Sequence, residues 1–242
     1  MRHVSETPAP LVVLYADADL VAVAKPASEP VIAARGEPPE ACVQRRLERQ
    51  LARRVYVVHR IDRDASGVVV FATDAAAHRA ASMAFERKQV DKLYLAFVAG
   101  ALEPASGRLD TPLHAARRGK TRPARPGEAG SQASVTDYAT DRRWVLGERA
   151  VSLVEARPHS GRHHQIRVHL RAAGAPILFD PLYGRGLMPE ALADAPCARL
   201  ALHARRIELP TTSGSGRLVV EAPLPPDLEA LLAWLDVHAR RE

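Results

Sequence analysis

The stretch VHRIDRDASGVVVFA, residues 58–72, decides how this chain is read. Its second half runs on into SGVVVFAT (66–73), a β-branched segment opened by Ser-Gly, which predicts a short buried strand. Its first half sets Arg60, Asp62, Arg63 and Asp64 directly ahead of that strand. Charge placed against a core is costly unless it is paired or used, so the segment raises the question of which aspartate is needed, and for what.

Working outward, LVVLYADADLVAVAKP (11–26) reads as two strands around an Asp-containing turn. Residues 40–53 carry a helical period, and DAAAHRAASMAFERK (74–88) is an Ala-rich helix with an Asp N-cap. DKLYLAFVAG (91–100) alternates as a strand, and 107–113, 134–140 and 151–157 are further strand candidates. HSGRHHQIRVHLRAAG (159–174) is bounded by a Ser cap and a Gly stop, predicting a helix. Two more strands are expected in LALHARRIELP (200–210) and RLVVEAP (217–223), and a closing helix over 225–241. Strands in sequence with interspersed helices, and no strict βαβ rhythm, predict an α+β fold. Its sheet should be mixed and mainly antiparallel, in a single domain spanning 1–242.

Composition fits that reading: 242 residues, 47% hydrophobic and 26% charged, with only 5% aromatic, so the core rests on aliphatic side chains. Cys42 and Cys197 match no metal or redox spacing, and reduced thiols in the cytoplasm are expected. The N-terminus contains no uninterrupted apolar stretch of signal or membrane-spanning length. The net charge of +6 favours a polyanionic partner. Of 34 basic side chains 30 are Arg, whose planar fork suits phosphate, although a GC-rich genome explains the same bias. QRRLERQLARR (44–54) reads as a helix with a basic face. ARRGKTRPARPG (116–127) carries Arg117, Arg118, Lys120, Arg122 and Arg125 without an acid, within a candidate mobile loop over 117–131. Each alone is more often a solvated surface than a site.

Three ordered segments resemble the RluA-type family of RNA pseudouridine synthases: HRIDRDASG (59–67), KLYLA (92–96) and SGRHHQIRVHLRAAGAPILFDPLYG (160–184). Lesser matches at DLVAVAKPASEPV and RLALHARRIEL extend the likeness over nearly the whole chain. Departures fall at Ala65, Ser160, His163 and Phe179, where that family usually has Thr, Thr, Thr and Gly, and at Ser28 and Glu29. The resemblance implies isomerisation of a flipped-out uridine in rRNA or tRNA, without metal or cofactor. Many relatives carry an S4-type RNA-binding domain, for which no room is expected before Lys25-Pro26, and a monomer is the default for a basic RNA-modifying domain of this size.

On that resemblance Asp62 is the catalytic carboxylate, as nucleophile or base, and Arg167 the guanidinium that orients it. Tyr94 would be a stacking platform for the flipped base. Period two supports that role independently, since it puts Lys92, Tyr94 and Ala96 opposite the apolar Leu93, Leu95 and Phe97. Arg60, Lys92, Arg162, His164 and Gln165 are expected to touch RNA, with Arg117, Arg118, Lys120 and Arg122 from the basic loop. His59 reads as structural, and Asp64 as a surface or capping residue. Three other readings compete: a silent RNA-binding domain, a glycosidase using Asp62 and Asp64, and a metal hydrolase. His163, His164, His169 and Asp180 could be misread as a metal cluster, but the His spacings do not put two ligands on one helical face, which argues against the last.

Overall fold

The computed structural model describes residues 9–34, 36–117, 119–212, 214 and 216–242. The N-terminal hairpin is β1 (Val12–Ala16) and β2 (Leu20–Lys25), closed by Asp17, whose carboxylate accepts from the Asp19 and Leu20 amides. Helix α1 (Val43–Leu51) buries Val43 and Leu47 and exposes Arg45 and Arg49. A two-residue strand, β3 (Tyr56–Val57), precedes the charged segment, and β4 (Ser66–Ala72) is buried along its whole length. Asp74 caps α2 (Ala75–Glu86) by accepting from the Ala76 and Ala77 amides. Then follow β5 (Asp91–Ala99), β6 (Ser106–Leu109), β7 (Leu113–Ala115), β8 (Thr121–Pro123), β9 (Thr136–Leu146) and β10 (Arg149–Pro158). Helix α3 (Gln165–Ala172), β11 (Leu202–Pro210), β12 (Arg217–Glu221), α4 (Pro226–His238) and β13 (Arg240–Arg241) complete the chain.

Among the described residues eleven strands form one sheet in the order β1-β2-β4-β11-β5-β10-β9-β13, with β3, β12 and β6 pairing onto β4, β11 and β9. Its pairings are antiparallel except one, β4 with β11, which meet at Ser66–His203 and Gly67–Ala204. The joint needs glycine. Gly67 has φ +125, and a Cβ there would lie 2.3 Å from the Ala204 carbonyl oxygen. The α+β class and mainly antiparallel sheet expected from the sequence are therefore what the fold has. Among the described residues no helix is long and apolar enough to cross a membrane.

Two expected helices are shorter than their sequence patterns. Residues 159–164 form a turn, and α3 begins only at Gln165, preceded by His164 at φ 54. Ser160 does not cap it; its hydroxyl donates to the Gln165 side-chain carbonyl instead. At the C-terminus Arg240 and Arg241 leave the helical pattern to pair with Val145 and Trp144 of β9. Within 117–131, Thr121–Pro123 forms a strand on β7, and this small hairpin packs Leu113 against Val168 and Tyr183 beside α3.

Candidate active site

A cleft of about 460 Å³ opens between the turn after β3, the end of α2, the start of β5 and the 159–167 segment. Asp62 is on its wall, one-fifth exposed, in a turn closed by the Ala65 amide donating to the Asp62 carbonyl. That turn is pinned from behind by Lys25. Its buried ammonium donates to the carbonyls of Pro26, Glu29 and Arg63, at 2.6, 2.7 and 2.8 Å. Burial pulls Lys25 down to about 7, against the opposing charges of Glu29, Asp64 and Asp62.

The turn also separates the two aspartates that extended chain would put on one face. Asp62 lines the cleft and Asp64 does not, although both charges act on Lys25. The glycosidase reading needs two carboxylates flanking one bond, and of this pair only Asp62 lines the cleft.

Arg167 Nη1 donates to Asp62 Oδ2 at 3.2 Å. Its other two nitrogens, Nε and Nη2, donate to the two oxygens of Asp180 at 2.8 Å each, a fork-to-fork pair. The Asp180 side chain is fully buried and its Oδ1 also accepts the Leu182 and Tyr183 amides. Burial alone would lower the Arg167 pKa and raise that of Asp180. Their mutual bonding outweighs it, so Arg167 is raised and Asp180 lowered, and both stay charged. The guanidinium therefore has one free edge, and that edge holds Asp62.

Tyr94 also lines the cleft, on β5 between Ala156 of β10 and Ala204 of β11, two small neighbours that leave its ring room. Its hydroxyl has no hydrogen-bond partner among the described residues. Burial, then the charge of Asp62, raises its pKa, so the phenol stays protonated. Lys92, two residues earlier, donates to the Ser160 carbonyl at 3.1 Å, and burial brings it to about 8.

The remaining expected contacts divide. Arg60 is exposed at the cleft and carries no ion pair among the described residues. Arg162 stands at the rim, its Nε 3.4 Å from the Ala133 carbonyl. Gln165, expected to touch RNA, lines the cleft with its side chain bonded to protein groups. Its carbonyl accepts from Ser160 and Arg162, its amide donates to Val135 and Thr136, and it is buried. With all four positions occupied it holds the loop. His164 faces the cleft, stacks on His163 with centroids 3.6 Å apart, and pairs Nδ1 with the Tyr183 hydroxyl at 2.8 Å. Burial holds it at about 4, hence neutral. His59 accepts the Val70 amide through Nε2 and stacks on Phe85.

Arg117, Lys120 and Arg122 sit on the β7–β8 arm and do not line the cleft; Arg118 lies outside the described residues. Arg122 is already bound by Glu128, whose carboxyl is held at about 2 by that guanidinium. His169 is bonded to Ser134, Thr136 and the Thr111 carbonyl.

Sequence reasoning gave no task to Asp180, Tyr183 or Lys25. The signal for the first two is the D-x-x-Y turn, in which a carboxylate caps the amides two and three residues on.

A family model described as RNA pseudouridylate synthase matches residues 19–172. Ribosomal large subunit pseudouridine synthase D of Xanthomonas campestris is 34% identical over 250 residues, covering 99% of this chain and 73% of that protein. Dual-specificity RNA pseudouridine synthase RluA of Escherichia coli K12 is 34% identical over 217 residues, covering 88% and 93%. Among solved structures, human RNA pseudouridylate synthase domain containing 4 superposes with a TM-score of 0.73 at 26% identity, over 96% of this chain and 94% of that one. Fold, ordered motifs and similarity agree, and the chain belongs to the RluA-type RNA pseudouridine synthases, which are isomerases.

Proposed function

We propose that this enzyme isomerises uridine in a stem-loop of structured RNA, with ribosomal RNA the first candidate because the Xanthomonas relative is named for the large ribosomal subunit. The observation that carries the reading is the Asp62–Arg167–Asp180 row. A buried guanidinium fixed from behind presents one cleft carboxylate in a set orientation. In this reading a uridine leaves its helix and enters the cleft, whose volume suits a nucleoside. Asp62 acts on the sugar, as nucleophile at C1′ or as base on a sugar proton, while the N1–C1′ bond breaks. The freed uracil turns against the Tyr94 ring, C5 bonds to C1′, the C5 proton leaves, and N1, released from the sugar, ends with one proton. Atoms and charge balance without an oxidant or external energy source. Arg60, Lys92, Arg162 and His164 would meet the RNA around the cleft, and Arg117, Arg118 and Lys120 its backbone farther out.

The test is to incubate transcribed ribosomal RNA and bulk tRNA with the enzyme and digest the products to nucleosides. We expect pseudouridine and no free uracil from the wild type. Asp62→Asn should lose at least about 10²–10⁴-fold in rate, the span of one acid–base group, at unchanged RNA affinity. Asp64→Asn should stay within about twofold, as expected of a surface change. Free uracil, or equal damage from both substitutions, would overturn the reading. RNA binding without product from any variant would favour the silent-binder alternative.

A further inference from the structure

A second recess, of about 270 Å³, adjoins the catalytic cleft and shares Lys88, Val90, Lys92, Pro158 and His159 with it. Its acidic walls are already neutralised from within the protein. Asp137 is bonded to Arg108 and His159, Glu208 to Arg206 and Arg217, and Asp91 to Arg217. Lys92 is committed to the Ser160 carbonyl. Lys88, at the junction of the two recesses, is exposed, and its side-chain ammonium has no hydrogen bond or ion pair among the described residues.

Its backbone is unusual as well. Lys88 has φ 56 and follows α2, where the Lys88 amide donates to Phe85 and the Gln89 amide to Ala84. Such helix ends favour glycine because a Cβ crowds the left-handed conformation. Ala52 ends α1 in the same region of conformational space, so the posture alone is only a cap. The combination sets Lys88 apart: a cation in a glycine position, unpaired, at the passage between two recesses.

We propose that Lys88 binds a phosphate of the RNA strand next to the flipped uridine, where the strand passes from the catalytic cleft into the second recess. The proposal rests on the RNA-modifying reading above and adds to it the path of the strand. It accounts for a lysine where stability alone would select glycine, since the left-handed residue turns the side chain off the helix end at the cleft mouth.

The two roles separate in Lys88→Gly. The substitution should raise the melting temperature by about 2–4 °C, as relief of a strained cap does in a chain of this size. At the same time it should weaken binding of a large-subunit ribosomal RNA transcript about fivefold at 0.15 M salt, and reduce the slope of log affinity on log salt by about 0.9, one phosphate contact. Lys88→Arg should restore affinity and slope. Arg53→Gln, a charge loss beyond the end of α1, should change neither. A Lys88→Gly enzyme that melts higher but binds with wild-type affinity and slope would overturn the proposal, leaving Lys88 a cap. Phosphate contacts carry no base information, so the slope reports on Lys88 even if the transcript is not isomerised. Absence of product from wild type would count against the catalytic reading instead.

Discussion

At the scale of single residues, one arginine serves two aspartates. Arg167 spends two nitrogens on Asp180 and one on Asp62, so its orientation is set by a carboxylate that lines no part of the cleft. Asp180→Asn should therefore injure a reaction it does not touch. Breaking a buried ion pair costs about 3–5 kcal/mol, which we expect as a lower denaturation midpoint. The single-turnover rate should fall while RNA affinity holds. An Asp180→Asn enzyme with wild-type rate would show that Asp62 needs no such support. Asp62 and Arg167 were legible in the sequence because they stand in ordered segments that resemble the family's motifs. The Asp180 fork was not, since a turn 13 residues beyond Arg167 returns to it only in three dimensions. Two departures from the family pattern also gain a physical meaning. Ser28 and Phe179 stand at φ 63 and φ 57, where small residues or glycine are usual for steric reasons.

At the scale of elements, the parallel joint of β4 and β11 positions the charged turn against the sheet. Gly67→Ala should exceed about 4 kcal/mol of destabilisation, the range of severe backbone clashes, because the added carbon meets backbone and not a movable side chain. Soluble, natively melting Gly67→Ala protein would contradict this. His203 clamps the same joint, with Nδ1 bonded to Ser66 and Nε2 to the Ala222 carbonyl, and burial holds it at about 4. The unfolded chain takes up that proton near pH 6.5, the folded one only near pH 4. Between these values the unfolded state binds more protons, so stability is full above about pH 6.5 and falls as the pH drops towards 4. From pH 7 to pH 5 the wild type should lose about 1–2 kcal/mol more than His203→Gln, as the linkage relation gives for one such group, measured by urea titration. Parallel pH profiles would refute the assignment. The strands and Asp74-capped α2 were readable from periodicity and turn chemistry. The late start of α3 was not, because Gly161 to His164 form a loop held by the Gln165 side chain, an interaction local propensity does not encode.

At the scale of the molecule, a net charge of +6 is spread unevenly in its availability. Many arginines are bound to acids, Arg122 to Glu128 among them, whereas Arg60, Lys88, Arg117 and Lys120 carry no ion pair among the described residues. RNA affinity should thus be strongly salt-dependent. Replacing Arg117 and Lys120 together by Gln should reduce the salt slope by about 1.8, two phosphate contacts, whereas Arg122→Gln should move it less. Equal effects would show that the Glu128 pair opens on binding. The basic arm was visible as a run of charge in the sequence, but which of its cations are free was not, because Glu128 comes back onto Arg122 from the turn after β8.

The central claim is that Asp62, seated on Arg167, drives exchange of a carbon–nitrogen for a carbon–carbon glycosidic bond. The direct measurement is tritium release from RNA labelled at C5 of uridine, with wild type and Asp62→Asn compared at saturating enzyme in ribosomal RNA and in tRNA. The account predicts release by the wild type from at least one RNA pool and none above background from Asp62→Asn, although both bind. Release by both proteins alike, or by neither, would contradict it.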